Sequence, residues 1–153
     1  MILPEPKYLE TLYVCQNLRK ESHEEIFGVF EGDAETLAKT YDKAEGHKWV
    51  GYFNGKPAAL FGALKAHSGV WTLFGFGTDD WAQIWKPVTK TMKRDMFRLV
   101  SEEGAHRASC ISPASHTETH RWLKFLGAGH VAELPKFGKN GEDYLMFSWL
   151  REV

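Results

Sequence analysis

Two histidines spaced four residues apart are the first candidates for chemistry in this chain. His116 and His120 lie on either side of Glu118 in the run His-Thr-Glu-Thr-His. On a helix this spacing can bring both imidazoles to one metal ion, but it lacks the His-Glu-x-x-His order that combines the ligands with a general base. No third ligand is evident in the neighbouring sequence. We therefore interpret both as surface histidines and expect no metal site.

A run of basic residues between positions 86 and 98, here called the basic strip, is the second candidate. The strip consists of Lys86, Lys90, Lys93, Arg94 and Arg98, with Asp95 as the one acid within it. These spacings place most of the charges on one side of a helix. Such a side can be a solvated surface, or it can bind phosphate, nucleic acid or an acidic protein surface. The sequence leaves both interpretations open.

Two tryptophans, Trp81 and Trp85, lie one helical turn apart just before Pro87. Six tryptophans are many for 153 residues, and most of this aromatic mass is expected in the core. Aromatic side chains also dominate the energetics of protein interfaces. The alternative at Trp81 and Trp85 is therefore an exposed anchor for a protein partner, beside the basic strip.

The composition is that of a folded chain and not of a disordered one. Hydrophobic residues make up 43% and aromatic residues 14%, which is enough apolar surface to offset the entropy lost on ordering. A length of 153 residues suits one domain, which we assign to residues 1–153. The formal net charge is −1, so any nucleic-acid contact would have to be local, as at the basic strip.

The sequence carries none of the features that direct a chain away from the cytoplasm. Its first residues have no basic region followed by an apolar stretch, so we expect no signal peptide. No apolar run approaches the roughly 18 residues that cross a bilayer. Cys15 and Cys110 lie in apolar surroundings without a CxxC motif, which favours free thiols in a reducing compartment.

Hydrophobic periodicity and turn residues predict the elements of the first half. We expect a strand over residues 8–15, a helix over 16–31, and a second helix over 33–44 with Asp33 as its N-cap. Strands 47–53 and 56–66 follow, joined by a two-residue turn at Asn54-Gly55 because both positions tolerate positive φ. A third strand over 70–76 completes an antiparallel meander.

The second half is predicted to begin with the longest helix, with Pro87 in its first turn and Gly104 at its end. A short strand over 106–111 follows. A capping box of Ser115 and Glu118 is expected to open the next helix, which ends at Gly127. Strands 129–137 and 144–150 come last. The order indicates an α+β fold with a mixed central sheet of about six to seven strands flanked by helices.

The segment 122–128, Trp-Leu-Lys-Phe-Leu-Gly-Ala, resembles the late-helix pattern of the GNAT superfamily of N-acetyltransferases. In that pattern an aromatic pair precedes a short spacer and a Leu-Gly-aromatic step. The order of predicted elements is similar to the family's along nearly the whole chain. The chain also resembles a narrower group, the small GNAT-fold internal virion proteins of short-tailed bacteriophages, through residues 70–79, the basic strip and residues 115–127.

The resemblance implies a three-layer GNAT-like domain and a place for acetyl-CoA. In the family, a basic, glycine-rich loop entering the long helix holds the pyrophosphate through backbone N–H groups and the helix dipole. The cofactor-binding residues implied here are Phe74, Gly75, Phe76, Gly77, Thr78, Ser112 and Ser115. The loop has no basic residue, and Asp79 and Asp80 follow it instead. Their charges favour a helix start and would repel the phosphates of coenzyme A.

The resemblance also implies proton chemistry whose usual residue is missing. A tyrosine four residues before the late glycine commonly protonates the departing thiolate in the family, and that position here is Leu123. The strand over 70–76 offers no carboxylate or histidine as a base for an amine. If the protein is an enzyme, Asp79 and Asp80 are the candidate catalytic residues, acting through a water molecule, and His67 also flanks the strand.

These features predict a phage-type GNAT-fold protein with a degenerate acetyl-CoA site, non-catalytic and virion-associated or host-interacting. On this interpretation no cofactor is expected, and a virion or host protein is the partner, in the host cytoplasm or packaged in a phage particle. The alternative is an active acetyl-CoA-dependent N-acetyltransferase with an atypical cofactor loop. A third possibility is a binding module that keeps coenzyme A as a structural ligand.

Overall fold

The computed structural model describes residues 1–151. The first half of the chain forms β1 (Ile2–Pro4), α1 (Tyr8–Gln16), α2 (Lys20–Phe27), α3 (Ala34–Lys43), β2 (Gly46–Phe53), β3 (Lys56–His67) and β4 (Val70–Gly77). The second half begins with α4 (Trp81–Thr91), which continues through a π-helical turn (Met92–Met96) into α5 (Phe97–Glu102). It ends with β5 (Arg107–Pro113), α6 (Thr117–Phe125), β6 (His130–Leu134) and β7 (Tyr144–Leu150). None of the helices within residues 1–151 has the length and apolar character of a bilayer-spanning segment.

One mixed sheet carries the fold, with its seven strands in the order β1-β2-β3-β4-β5-β7-β6. Every neighbouring pair is antiparallel except β4 and β5, which run parallel because α4 and α5 connect them. The predicted α+β class, with a mixed sheet flanked by helices, is therefore confirmed.

The helices cover both faces of the sheet and create two cores. The larger core packs α4, α5 and α6 against one face, around Phe61, Val88 and Met96. The second core packs α1, α2 and α3 against the other face, around Val14, Leu37 and Leu60. Three layers result, and the space where β4 meets β5 lies between the two cores.

Several predicted elements agree with the structure for the physical reasons that predicted them. The Asp33 carboxylate accepts a hydrogen bond from the Thr36 N–H at 2.8 Å and caps α3. Asn54 and Gly55 have φ of 50° and 74°, as a two-residue hairpin turn requires. The meander of β2, β3 and β4 has the predicted boundaries to within one residue.

The strand predicted over residues 8–15 is wrong, because this segment forms α1. Its buried residues are Thr11, Val14 and Cys15, a three-and-four spacing that places one helical face on the sheet. The alternation of Leu12 and Val14 with polar neighbours is therefore incidental. The first strand instead comprises Ile2–Pro4, which pairs with β2 at the sheet edge.

Two predicted helix starts are also wrong. The long helix begins at Trp81, six residues before Pro87, because the Thr78 carbonyl and hydroxyl already bind the N–H groups of Trp81 and Asp80. Pro87 thus lies inside α4, on an exposed side where water can reach the carbonyl that its missing N–H would have bound. In α6 the N-cap residue is His116, and no side chain caps the helix, so Ser115 and Glu118 form no capping box.

Candidate functional site

The gap between β4 and β5 is the main opening in the sheet. The two strands pair only through three registered positions, the last of which joins Thr72 to Ser109. Beyond that point they diverge, and the remaining residues of β4 lack a strand neighbour on this side. A parallel sheet that opens at its carboxyl ends exposes backbone groups there, which is a common place for ligands to bind.

Two cavities meet at this gap. The inner cavity has a volume of about 360 Å³ and mostly apolar walls. Its walls come from both cores, with Met92, Met96, Leu123 and Leu126 on one side and Ile26, Val29, Phe30, Leu37 and Tyr41 on the other. The outer cavity, of about 760 Å³, opens beside the start of α4.

The outer cavity is lined by aromatic and charged side chains. Its aromatic residues are Trp81, Trp85, Trp122 and Phe125, its acids are Glu21, Glu25, Asp79 and Glu118, and its basic residues are Arg19, Arg121 and His116. Glu25, Gly75, Thr119 and Trp122 line both cavities. The point where the cavities join is therefore fixed by α2, β4 and α6 together.

The backbone of Gly75 presents hydrogen-bonding groups to this junction. The Thr78 N–H donates to the Ala58 carbonyl of β3, and backbone groups alternate between the two edges of a strand. The N–H groups of Gly77 and Gly75 therefore face away from β3, toward the gap. The Gly77 N–H is bound by the Ser22 hydroxyl at 3.2 Å, whereas within residues 1–151 no side chain accepts from the Gly75 N–H.

Glu25 is the titratable group at the junction. Its carboxylate makes no hydrogen bond or ion pair within residues 1–151 and borders both cavities. Burial raises the pKa of Glu25 to about 8, although the charge of Arg19 acts in the opposite direction. The accessible surface that this side chain retains faces the cavities. A carboxyl group in this state could take up or release a proton near neutral pH.

Sequence reasoning missed Glu25 and Ser22, although a signal was present. The helical stripe that predicted α2 contains Leu18, Ile26 and Val29. Ser22 and Glu25 occupy the same stripe at four and seven residues after Leu18, where apolar residues would be expected. Polar residues within an apolar stripe point inward, and here they point at the gap.

The turn between β4 and α4 is closed by its own hydrogen bonds. Ser22 accepts from the Gly77 N–H, and Ala58 accepts from the Thr78 N–H. The N–H groups of Asp80 and Trp81 are bound by the hydroxyl and the carbonyl of Thr78. Of the five successive N–H groups from Gly77 to Trp81, four are bound within the protein, and the Asp79 N–H is the one within this turn that could still donate to a phosphate.

Trp81 packs directly against this turn. A Cβ atom on Gly77 would lie 2.9 Å from Cε3 of Trp81 and 2.7 Å from the Ala58 carbonyl oxygen. The Trp81 ring also meets Trp122 edge-on, with centroids 5.6 Å apart. Trp122 in turn donates from Nε1 to the Thr89 hydroxyl at 2.8 Å, which fixes α6 against α4. The side of the turn that faces the outer cavity is covered by indole rings.

The two aspartates of the turn have different positions. Asp79 is exposed and lines the outer cavity. Asp80 is the N-cap residue of α4, but its side chain makes no capping hydrogen bond. Both carboxylates are within two residues of the helix start at Trp81, so both contribute negative potential there.

The other sequence-predicted site residues fall into three places. Phe74 and Phe76 are buried and line the inner cavity, together with Gly75. Gly77 and Thr78 are buried in the closed turn. Ser112 is fully buried with no partner for its hydroxyl, and Ser115 is exposed, and neither lines a cavity. The structure thus brings together residues 74–79 and leaves the two serines apart.

The position implied for a proton-donating tyrosine lies in the core. Leu123 is buried and faces the inner cavity from α6. Tyr41 lines the inner cavity, and burial raises the pKa of its hydroxyl. The Tyr144 hydroxyl donates to the carbonyls of Glu24 and Glu25. Burial raises the pKa of Tyr144 to about 12. The Tyr144 hydroxyl therefore uses its proton in hydrogen bonds to the backbone of α2.

The basic strip is exposed, but its arginines are paired within the helix. Arg94 contacts Asp95 at 2.9 Å, and Arg98 contacts Glu102 at 3.3 Å. The Lys93 ammonium lies 3.6 Å from the ring centroid of Phe125. The strip therefore approaches the rim of the outer cavity through Lys93 and through Lys86, whose ammonium lies 5.7 Å from the ring centroid of Trp85, while Lys90 is exposed on α4.

The prediction that both histidines lie at the surface is wrong for His120, which is buried, and His116 is only partly exposed. Nε2 of His116 lies 3.0 Å from a carboxylate oxygen of Glu24, and Nε2 of His120 lies 2.9 Å from the Pro113 carbonyl oxygen. Within residues 1–151 no group of three or more potential ligands could hold a metal ion. Both cysteines in this range are free thiols.

Comparisons with known proteins identify the fold. No protein-family model matches the chain, and no curated protein sequence matches it. Ard1 from Thermoplasma volcanium superposes with a TM-score of 0.74 at 15% identity, over 100% of this chain and 98% of that one. The protein yncA from Salmonella typhimurium, solved with its cofactor acetyl-CoA, superposes with a TM-score of 0.72 at 15% identity, over 100% and 94%.

A GNAT-family acetyltransferase from Bacillus anthracis gives a TM-score of 0.70 at 12% identity, over 94% of this chain and 90% of that one. Identities this low show the arrangement of the backbone and carry no activity with them. The seven-stranded sheet, the gap between β4 and β5 and these superpositions confirm the fold expected from the sequence: the chain has the GNAT N-acetyltransferase fold.

Proposed function

We propose that this protein acts by binding a partner and not by acyl transfer from coenzyme A. The observation that carries the proposal is the closed turn between β4 and α4. A pyrophosphate needs free N–H groups at this helix start, and here Ser22, Ala58 and Thr78 already accept from most of them. The residues present do not fit coenzyme A.

The charge of the outer cavity supports the same conclusion. Four acidic side chains line it, but Glu25 is mostly protonated at neutral pH. Arg19 is already paired with Glu21 at 3.2 Å, so the charges of Asp79 and Glu118 stand against that of Arg121 alone. Phosphates placed here would meet an excess of negative charge in a partly enclosed space, where charge repulsion is weakly screened. Trp81 further occupies the face of Gly77 that a phosphate would approach.

The partner that we propose is a virion or host protein. The resemblance of residues 70–79 and 115–127 to internal virion proteins of short-tailed phages supports this choice, as do the exposed ring of Trp85 and the adjacent basic strip. On this proposal the protein is made in the host cytoplasm and can be packaged. Mass spectrometry of purified virions tests the packaging, and absence of the chain from particles would leave a host protein as partner.

Calorimetric titration with acetyl-CoA tests the proposal directly. We expect no heat of binding at up to millimolar ligand. The variant Asp79→Gly/Asp80→Arg is expected to gain measurable affinity, because it removes two negative charges and adds a positive one. Micromolar binding by the unaltered protein would overturn the proposal, and an unchanged variant would contradict its electrostatic part.

A second candidate function is N-acyl transfer, and the junction of the two cavities is the observation that favours it. There the Gly75 N–H faces the gap, and the Glu25 carboxyl group has a pKa near 8. Glu25 could accept a proton from an amine, and the Gly75 N–H could donate to a carbonyl oxygen. Asp79 and Asp80 lie farther along β4 and its turn, so Glu25 replaces them as the better-placed base.

Turnover separates this candidate from the third one, in which coenzyme A is only a structural ligand. Release of free thiol from acetyl-CoA with a panel of amines would support acyl transfer, and Glu25→Gln should then reduce it by about 100-fold or more. Binding without turnover would instead support a structural ligand. We expect neither result.

A further inference from the structure

We propose that the outer cavity binds a cationic side chain, lysine or arginine, presented by a partner polypeptide. This inference rests on the proposed function and names the ligand of the same site. The volume of the cavity, about 760 Å³, is large enough for such a side chain and for the residues next to it in the partner polypeptide. Its walls and its charges both favour a cation with an apolar stem.

The inner walls of the cavity are indole rings. Trp81 and Trp122 meet edge to face at 5.6 Å, and the hydrogen bond from Trp122 to Thr89 holds the second ring in place. Aromatic faces attract ammonium and guanidinium groups and also cover the methylene groups that carry them. Lys93 already makes such a contact on Phe125, at 3.6 Å from the ring centroid.

The charges at the cavity come from three separate elements. Glu25 lies on α2, Asp79 on the turn after β4, and Glu118 on α6. No ion pair within residues 1–151 involves any of the three side chains. Arg121 is the one guanidinium of the lining without a paired carboxylate within residues 1–151. Because Glu25 is mostly protonated at neutral pH, Asp79 and Glu118 against Arg121 leave an excess of one negative charge.

Glu25 gives an independent indication that a cation is missing. Its side chain is only partly exposed, and its carboxyl group has no hydrogen-bond donor or ion-pair partner within residues 1–151. Burial raises its pKa to about 8, because the charge of Arg19 does not offset the loss of solvation. A cation at the junction of the cavities would supply a compensating positive charge.

The rim of the cavity favours a polypeptide over a free amine. Trp85 and Phe125 line the mouth of the cavity and keep 38% and 57% of their surface exposed, with Lys86 and Lys93 of this chain each on one of the two rings. A small amine seated inside would leave both rings in water. Residues on either side of a lysine or arginine in a polypeptide would cover them, and large aromatic side chains at a rim of this kind often anchor a protein interface.

Titration with matched peptides tests this inference. Three capped peptides, Ala-Leu-X-Leu-Ala with lysine, arginine or norleucine at X, are titrated by calorimetry and by the indole N–H signals of an NMR spectrum. We expect the lysine or arginine peptide to bind at least about tenfold more tightly than the norleucine peptide. Lysine acetylated on Nζ should bind like norleucine, because acetylation removes the charge.

Variants of the protein locate the binding. We expect Glu25→Gln and Asp79→Asn each to weaken the binding of the lysine or arginine peptide by about tenfold. Trp85→Ala should weaken the binding of both charged peptides to a similar degree. Glu133→Gln is the matched control, because Glu133 is exposed on β6 and lines neither cavity. It should change the affinity less than twofold.

The outcomes separate this inference from the proposed function. If neither charged peptide binds more tightly than norleucine up to several millimolar, the inference is overturned, while a lack of acetyl-CoA binding would leave the proposed function intact. If 1,5-diaminopentane binds as tightly as the peptides and Trp85→Ala has no effect, the polypeptide as source is overturned. Tight binding of acetyl-CoA would overturn the proposed function and this inference with it.

Discussion

At the scale of single residues, Glu25 makes the stability of the protein depend on pH. The pKa of this carboxyl group rises from 4.5 to about 8 on folding because of burial. Between these values the folded state holds more protons than the unfolded chain, so the contribution of Glu25 to stability falls as the pH rises. This contribution is fully present below about pH 4.5, where the group is protonated in both states, and falls as the pH rises to about 8, above which it is lost.

Glu25→Gln should therefore stabilise the protein at high pH. We expect a gain of about 1–3 kcal/mol in the free energy of unfolding at pH 8.5 and little change at pH 5, since one pKa unit corresponds to about 1.4 kcal/mol. Urea unfolding at both pH values measures the difference. Glu118→Gln, at an exposed position, is the control. An equal effect of both variants would contradict the raised pKa of Glu25.

The hydroxyl of Ser22 is the acceptor that keeps the turn after β4 closed. Ser22→Ala leaves the buried Gly77 N–H without a partner, which should cost about 1–3 kcal/mol of stability. Thermal and urea unfolding measure the cost. Ser115→Ala, at an exposed serine whose side chain makes no hydrogen bond within residues 1–151, should stay within about 0.5 kcal/mol of the unaltered protein. Equal stability of both variants would mean that water can replace Ser22.

These residues illustrate how far a sequence can predict a site. Residues 74–79 were singled out because the resemblance to the GNAT superfamily implies a cofactor loop there, and the structure places them at the gap between β4 and β5. Ser22 and Glu25 were missed, since their role depends on α2 being placed against β4, 55 residues away from Ser22 at Gly77. Ser112 was predicted by its place after a strand, but its hydroxyl faces the interior.

At the scale of elements, the placement of α2 depends on its contact with β7. The Tyr144 hydroxyl donates to the Glu24 and Glu25 carbonyls at 3.3 and 3.0 Å, near the end of the helix. The approach is close because residue 28 is glycine, where a Cβ atom would lie 2.0 Å from the Tyr144 hydroxyl oxygen. Through this contact β7 positions Ser22 and Glu25 at the gap.

Gly28→Ala should therefore destabilise the protein by about 2 kcal/mol or more through overpacking. The same substitution in a Tyr144→Phe background should cost less, because the hydroxyl that the new Cβ meets is gone. A double-mutant cycle by urea unfolding measures this coupling. Gly129→Ala, where a Cβ would meet no atom within 4 Å, is the control, and additive costs would contradict the contact.

How well the sequence predicted an element depended on whether the deciding contacts are between residues near in sequence or between distant ones. The hairpin at Asn54-Gly55 and the cap at Asp33 depend on residues within three positions, so local chemistry is sufficient. The segment 8–16 has apolar residues at both alternating and helical spacing. Packing against the sheet decides between them, and packing is not visible in a short segment.

At the scale of the whole molecule, the two halves of the sheet meet only over the first three residues of the β4–β5 ladder. Elements before the gap supply Glu25 and Asp79 to the outer cavity, and α6 after it supplies Glu118 and Trp122. Because the site spans both halves, a ligand there would bridge them. The gap between β4 and β5 thus leaves a cavity whose walls come from both halves of the sheet.

The balance of charge over the molecule predicts weak binding to nucleic acid. The net charge is −1, and Arg94 and Arg98 are paired with Asp95 and Glu102. Only three basic residues of the strip have no carboxylate partner within residues 1–151 and can contact phosphates: Lys86, Lys90 and Lys93. At about −0.9 for each contact, the slope of the logarithm of the binding constant against the logarithm of the salt concentration should be no steeper than about −3.

Fluorescence anisotropy with a labelled 20-base-pair duplex measures this slope. We expect a dissociation constant weaker than about 100 µM at 150 mM salt. Lys86→Ala/Lys90→Ala should reduce the slope by about 2, whereas Lys56→Ala/Lys65→Ala, at exposed positions on β3, should leave it unchanged. A slope steeper than about −4 would mean that the arginines exchange their carboxylates for phosphates, and nucleic acid would then replace a protein as the partner of the basic strip.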